Sequence, residues 1–354
     1  MRTRLPSDLL ERSAQESSRL LALSHLEQIA QAEERLSDPG DAEALHDFRV
    51  GLRRLRSSVQ AYRMQLKGSV SGKMRDQLRE LTGATNVGRD TEVQLTWLHK
   101  QAERLSPEDT QGFFWLTGRM EGRKLELLDP ATAEVGRRFL KTAAKLKKRL
   151  GTLRIEVGPD SARKPATFGQ VTGELVRRQV ARLRDELLQV RDVNSVDEAH
   201  QARIAVKRLR YLLEPVARVN RRARALIPRL KALQDVLGEH HDMHVMSDAI
   251  ASARTGLPAT DAGPLAQLNG GLATLERLAG EEAAAAFERF HASGVGQPGD
   301  RILTRADEVG KALEVGPQPV GSPVAAVSPR PAGDGNGGPP VGATRVASDV
   351  HTPA

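Results

Sequence analysis

Residues 44–56 read Ala-Leu-His-Asp-Phe-Arg-Val-Gly-Leu-Arg-Arg-Leu-Arg, and residues 198–210 read Glu-Ala-His-Gln-Ala-Arg-Ile-Ala-Val-Lys-Arg-Leu-Arg; they align without a gap at an offset of 154. In each, apolar residues recur at intervals of three and four: Leu45, Phe48, Leu52, Leu55 and Val59 in the first copy, Val206, Leu209 and Leu213 in the second. That spacing builds one apolar face of an α-helix. A second pair follows at an offset of 152, where Leu78-Arg79-Glu80-Leu81 with Arg89-Asp90 corresponds to Leu230-Lys231-Ala232-Leu233 with His241-Asp242. Two pairs at nearly one offset indicate a duplicated helical unit.

The same periodicity extends over most of the chain, as in Leu20, Leu23, Leu26, Ile29 and Leu36, or Leu175, Val176, Val180, Leu183 and Leu187, and no comparable stretch alternates strictly. The expected fold is all-α: two pseudo-symmetric four-helix-bundle-like repeats packed together. Repeat one spans about 8–150, a linker around Gly158-Pro159-Asp160 covers about 151–165, and repeat two spans about 166–314. Helix boundaries are expected at Ser37–Asp41, Ser106-Pro107-Glu108 and Asp129-Pro130, and Ser195 with Glu198 has capping-box spacing. From Gly316 to Ala354 eight Pro and seven Gly crowd 39 residues, so 316–354 reads as a disordered tail that could serve a protein partner.

Composition narrows the function. Lys+Arg 53 against Asp+Glu 45 gives a formal charge of +8, which favours a polyanionic partner. Aromatic residues make up only 3% of the chain, too few for the stacking platforms that read single-stranded nucleic acid. The 354 residues contain no cysteine, which excludes disulfides, thiolate metal sites and cysteine nucleophiles and fits a reducing compartment. No apolar run reaches the roughly 18–20 residues of a membrane span, and the N-terminus has no apolar signal region. A cytoplasmic protein without membrane contact is expected.

With about 100° of turn per residue, His46, Arg49, Arg53 and Arg56 fall in a stripe about 80° wide at the margin of the apolar face. His200, Arg203, Lys207 and Arg210 repeat it. Such a stripe can pair with acids from a neighbouring helix. Two copies in the same phase, neither containing a carboxylate, point instead to a bound anion, because aligned like charges repel.

These motifs, with Leu-Lys-x-Leu-Gln-Asp-x-Leu-Gly-Glu-x-x-Asp at Leu230–Asp242, resemble the CHAD family, the conserved-histidine α-helical domain, over roughly residues 8–314. The resemblance implies a basic central groove or pore that binds inorganic polyphosphate and can take proteins to polyphosphate granules. Carried over position by position, it implies ligand contacts at His46, Arg49, Arg53, Arg54, Arg56, His200, Arg203, Lys207, Arg208 and Arg210. Arg89, Asp90, Lys231, His241 and Asp242 form a supporting set, the two aspartates orienting stripe arginines. One departure from the family pattern is Thr85-Asn86, where Leu-Gly is usual.

His240 and His244 at i, i+4 could share a metal, but no third ligand has matching spacing, and turn hydrogen bonding is the favoured reading. The basic run Arg137, Arg138, Lys141, Lys145, Lys147, Lys148 and Arg149 reads as a solvated helix face. There is no Walker-type phosphate loop, no Gly-x-Ser-x-Gly and no alternating Glu-x-Glu-x-Lys strand. The expectation is a non-catalytic polyphosphate binder with no cofactor and no metal. The alternatives are a metal-dependent phosphohydrolase using His240, His241 and Asp242, and a non-specific nucleic-acid binder.

Overall fold

Each repeat begins at a hydroxyl. Ser13 accepts a hydrogen bond from the Glu16 N–H and starts α1 (Ala14–Arg35). Thr167 accepts one from the Gln170 N–H while the Gln170 side chain accepts from the Thr167 N–H, a capping box that starts α6 (Phe168–Gln189). The two caps stand 154 residues apart, the offset of the repeated motif, and they pair with each other in an isolated antiparallel bridge. The Ala14 N–H donates to the Ala166 carbonyl at 3.0 Å and the Phe168 N–H to the Arg12 carbonyl at 2.8 Å. An antiparallel bridge maps onto itself under a two-fold rotation, so the pseudo-axis passes through it.

The computed structural model describes residues 5–38, 40–85, 87–152, 165–258 and 263–316, with the side chains of 42, 87–89 and 125–133 left aside. Most of the expected linker and all but the first residue of the expected tail lie outside the described residues. Within them the secondary structure is helical. Repeat one continues with α2 (Ala42–Ala61), α3 (Gly72–Ala84), α4 (Val87–Gln101), a 3₁₀ turn at Ala102–Arg104 and α5 (Thr110–Gly151). Repeat two continues with α7 (Val196–Val216), α8 (Arg221–Thr255), α9 (Pro264–Gly294) and α10 (Gln297–Val315).

The packing obeys the duplication. In repeat one α1 lies on α2, α2 on α3, and α5 on α1, α3 and α4; in repeat two α6 lies on α7, α7 on α8, α10 on α6 and α8, and α9 on α8. The patterns coincide when α8 stands for α3 plus α4 and α5 stands for α9 plus α10. Across the axis each element meets its own counterpart: α1 with α6, α2 with α7, α4 with α8, α5 with α9. Each repeat is therefore four rods with one rod broken. Repeat one breaks after Thr85; repeat two breaks at Val295-Gly296, where Gly296 has a φ of +67° that suits glycine.

Apolar burial is divided between two cores. The larger contains Phe48, Leu52, Leu55 and Phe139 from repeat one with Phe168, Val206, Leu209 and Leu237 from repeat two. The smaller is assembled from Leu95, Trp97 and Leu98 of α4, Phe113 and Leu116 of α5, Met246 and Ile250 of α8, and Leu272 and Leu275 of α9. At its margin α5 crosses α9 so closely that a Cβ on Gly112 would lie 2.5 Å from the Gly271 carbonyl carbon. This four-helix bundle takes two helices from each repeat, so the repeats interlock.

Two expected boundaries are displaced. Asp129-Pro130 does not start a helix; α5 runs through it, the missing donor being tolerated because both flanks of the 42-residue helix are packed in the cores. Ser195 precedes α7 without capping it, because its Oγ already accepts from the Arg191 and Asp192 N–H groups of the preceding loop. No described helix is long and apolar enough to cross a membrane.

Candidate anion-binding site

Helices α2 and α7 bury Phe48, Leu52, Leu55 and Val59, and Val206, Leu209 and Leu213. Because the basic stripes adjoin these faces, the same burial that fixes the helices fixes where their cations stand. Lys207 records the convergence. Its ammonium is pushed down to about 8, first by burial and then by Arg203, Arg53, Arg56 and Arg210, so residues of both stripes act on one lysine. Arg56 is lowered by burial and by Arg79, and Arg208 by burial, Arg182 and Arg56, with Glu186 partly opposing.

Each stripe is anchored at its N-terminal end. Arg49 is buried and donates from Nη1 to Glu92 Oε2 of α4 at 3.0 Å. Its counterpart Arg203 lies with Nη1 4.0 Å from Asp242 Oδ1 of α8. Gly238 makes room for that guanidinium, since a Cβ there would sit 3.3 Å from Arg203 Nε. Both Nε groups, Arg49 and Arg203, are buried with no hydrogen-bond partner among the described residues, and so are Nδ1 of His200 and of His241. The His200 and His241 rings stand 4.6 Å apart between centroids. Burial, followed by Arg203 and Lys207, lowers His200; burial, followed by His200 and Arg203, takes His241 down to about 4. Both shifts favour the neutral imidazole.

At the other end the arrangement is different. Glu214, one turn beyond Arg210 on α7, accepts from Arg54 Nε at 2.9 Å and from Arg210 Nη1 at 2.9 Å. Arg210 also donates to Gln234 at 3.2 Å. Behind this triad a cavity of about 170 Å3 is lined by His25, Ser58, Arg54 and Glu214. His25 Nε2 lies 3.2 Å from Ser58 Oγ, and burial followed by Arg54 pushes this imidazole down to about 4.

A family model described as the CHAD domain matches residues 21–251. The chain belongs to the CHAD family. Its fold is similar to the crystal structure of the CHAD domain from the plant Ricinus communis, at 21% identity and a TM-score of 0.58 over 82% of this chain and 95% of that one. It is also similar to PptA from Streptomyces chartreusis, at 17% identity and a TM-score of 0.62 over 79% and 98%. No curated protein sequence matches the chain.

In this CHAD domain the stripe residues therefore divide. Arg53, Arg56, Arg203, Lys207, Arg208 and Arg210 share one electrostatic field. His46 is exposed at the start of its stripe, Arg49 is engaged with Glu92, and Arg54 faces Glu214. In the supporting set, Asp242 approaches Arg203, whereas the exposed Asp90 gives way to Glu92, two residues further on, as the partner of Arg49. Lys231 is exposed and bridges Asp235 at 2.5 Å; the side chain of Arg89 lies outside the described residues. Sequence reasoning passed over Arg79 and Arg182 as site residues. Arg79 had a signal, as the 152-offset counterpart of Lys231, and Arg182, whose 154-offset counterpart is Gln28, had none.

His240 and His244 both direct Nε2 to the Val193 carbonyl, at 2.8 and 2.9 Å, so they tie α8 to the α6–α7 loop. Among the described residues no group of three or more His, Cys, Asp or Glu is placed to hold a metal ion. In the basic run, Arg137 bridges Glu134, Arg138 bridges Glu80, Arg149 donates to the Ser69 carbonyl, and Lys141, Lys145, Lys147 and Lys148 are exposed.

Proposed function

We propose that this CHAD domain binds inorganic polyphosphate between α2 and α7. The observation that carries the reading is the set of charges around Lys207: four arginines, two from each repeat, act on a half-buried ammonium and all oppose its protonation. A bound polyanion offsets that repulsion. Arginine suits the task because its planar fork donates two hydrogen bonds to one phosphate and keeps its charge. The neutral, partly buried His200 and His241 add donors that need no charge to act. A chain of phosphates has no bases, so a site poor in aromatic side chains loses nothing on it.

The role is binding without turnover, in the cytoplasm and at polyphosphate granules, with the segment after Gly316 available to a protein partner. Nucleic acid would bind only through non-specific charge. The test is a competition titration of long-chain polyphosphate against duplex DNA at matched phosphate concentration and fixed, near-physiological salt, since both ligands release counterions. Preference for polyphosphate is expected; equal competition would refute the assignment. Phosphate release by purified protein with added divalent metal would overturn the non-catalytic part.

A further inference from the structure

The two-fold pseudo-symmetry provides an internal control, because every group at one end of the basic lane has a counterpart at the other. Arg54 corresponds to Arg208 and Arg56 to Arg210, at the offset of 154. The pairs are treated differently. Arg54 and Arg210 both donate to the Glu214 carboxylate, which holds Arg54 by Nε at 2.9 Å and Nη2 at 3.4 Å, and Arg210 at 2.9 Å. The counterpart of Glu214 is Gln60, which is exposed and carries no charge. Accordingly, no described carboxylate lies within ion-pair distance of Arg56 or Arg208; Glu186, which partly offsets the lowering of Arg208, is itself bridged to Arg182.

Resting on the reading of the site as a polyphosphate lane, we propose that Glu214 is a specificity-determining plug that closes the lane at the Arg54–Arg210 end and leaves it open at the Arg56–Arg208 end. Chemically, the carboxylate stands in for a phosphate. It satisfies the same arginine forks that a ligand would use, at 20% side-chain exposure, and it sits in phase with the stripe one turn after Arg210. A polyanion entering from Arg56 and Arg208 gathers Lys207 and then meets a fixed negative charge at Glu214. The lane is thus asymmetric although its scaffold is symmetric. The number of cations neutralised per bound chain is set by one residue.

The experiment uses the full chain as wild type, Glu214→Gln, Gln60→Glu and the double variant. Affinity for long-chain polyphosphate and, separately, for duplex DNA is measured at several salt concentrations, with the melting temperature of each variant. Removing the plug releases two arginines, so Glu214→Gln should tighten polyphosphate binding and steepen the log K against log salt slope by about 1.4, at about 0.7 per neutralised phosphate for a single strand. Gln60→Glu should plug the open end, weaken binding and flatten the slope by a similar amount; the double variant should fall near wild type. If Glu214→Gln unsettles the fold, Gln60→Glu tests the same lane from an exposed position. Unchanged slopes in both single variants, on whichever polyanion the wild type binds, would overturn the plug, as would a Glu214→Gln variant that stays folded and binds more weakly. A wild type that favours DNA would refute the polyphosphate reading while the slope order still judged the plug. Failure of every variant to bind either polyanion would refute both.

Discussion

Polyphosphate affinity should fall steeply with pH because of Lys207. In the free protein its ammonium titrates near 8, against an ordinary lysine value near 10.4. A polyanion beside it opposes the repulsion from the four arginines and raises that value, with the ordinary value as the upper limit, so the bound state holds more protons than the free state. Affinity is therefore fully present below pH 8 and is lost as pH rises. At the limit of a shift from 8 back to 10.4, linkage gives up to about 25-fold weaker binding at pH 9.5 than at pH 7. Ligand-free stability moves the other way: the folded value lies below the unfolded one, so the unfolded chain holds the extra proton and stability rises from pH 8 towards 10.4, by on the order of 3 kcal/mol. Titration calorimetry at pH 7, 8, 9 and 9.5 and constant ionic strength would measure the first effect, with uptake of about half a proton per site at pH 8. Lys207→Arg should remove the pH dependence while keeping binding. A wild-type affinity flat from pH 7 to 9.5, or an undiminished decline in Lys207→Arg, would refute the reasoning.

Stability and binding should separate at Lys207 and move together at Arg49. Lys207→Met should raise the ligand-free melting temperature and weaken polyphosphate binding, whereas Arg49→Ala should cost about 1–3 kcal/mol by stranding Glu92, besides any loss of binding. Gly238→Ala should leave urea stability level or up to about 1 kcal/mol higher from helix propensity, yet lower polyphosphate affinity by displacing the Arg203 guanidinium. Acid should destabilise the protein as pH falls from 6.5 through 4, because His25 resists protonation down to about 4 only when folded; urea melts at pH 7 and 4.5 should differ by about 2 kcal/mol on this account, and less in His25→Gln.

The repeats and their helices were legible because duplication and a 3.6-residue period both leave their mark along the chain. Other features depend on contacts far apart in sequence. Ser195 has the spacing of a cap, but loop N–H groups claim its hydroxyl first, while Thr167 with Gln170 forms the capping box that is present. Pro130 has the signature of a helix start, and packing on both sides carries α5 through it. The stripe at His200–Arg210 is free of acids as a string of residues, yet the next turn brings Glu214, whose hold on Arg54 crosses 160 residues. Similarly, Arg49 meets Glu92 and not Asp90, a contact across 43 residues that no local spacing marks.

The smaller core has a consequence for how the chain reaches its native state. Because α4 and α5 can close that bundle only with α8 and α9, neither half can finish folding before the other has been synthesised. Residues such as Leu98 and Leu275 must find each other across more than half of the folded sequence, and the entropy of closing that span has to be met before their burial contributes. Until then each half exposes a sticky apolar flank shaped to receive its twin, so an isolated half would associate with a second copy of itself, and the covalent link through residues 153–164 turns that encounter into an intramolecular one.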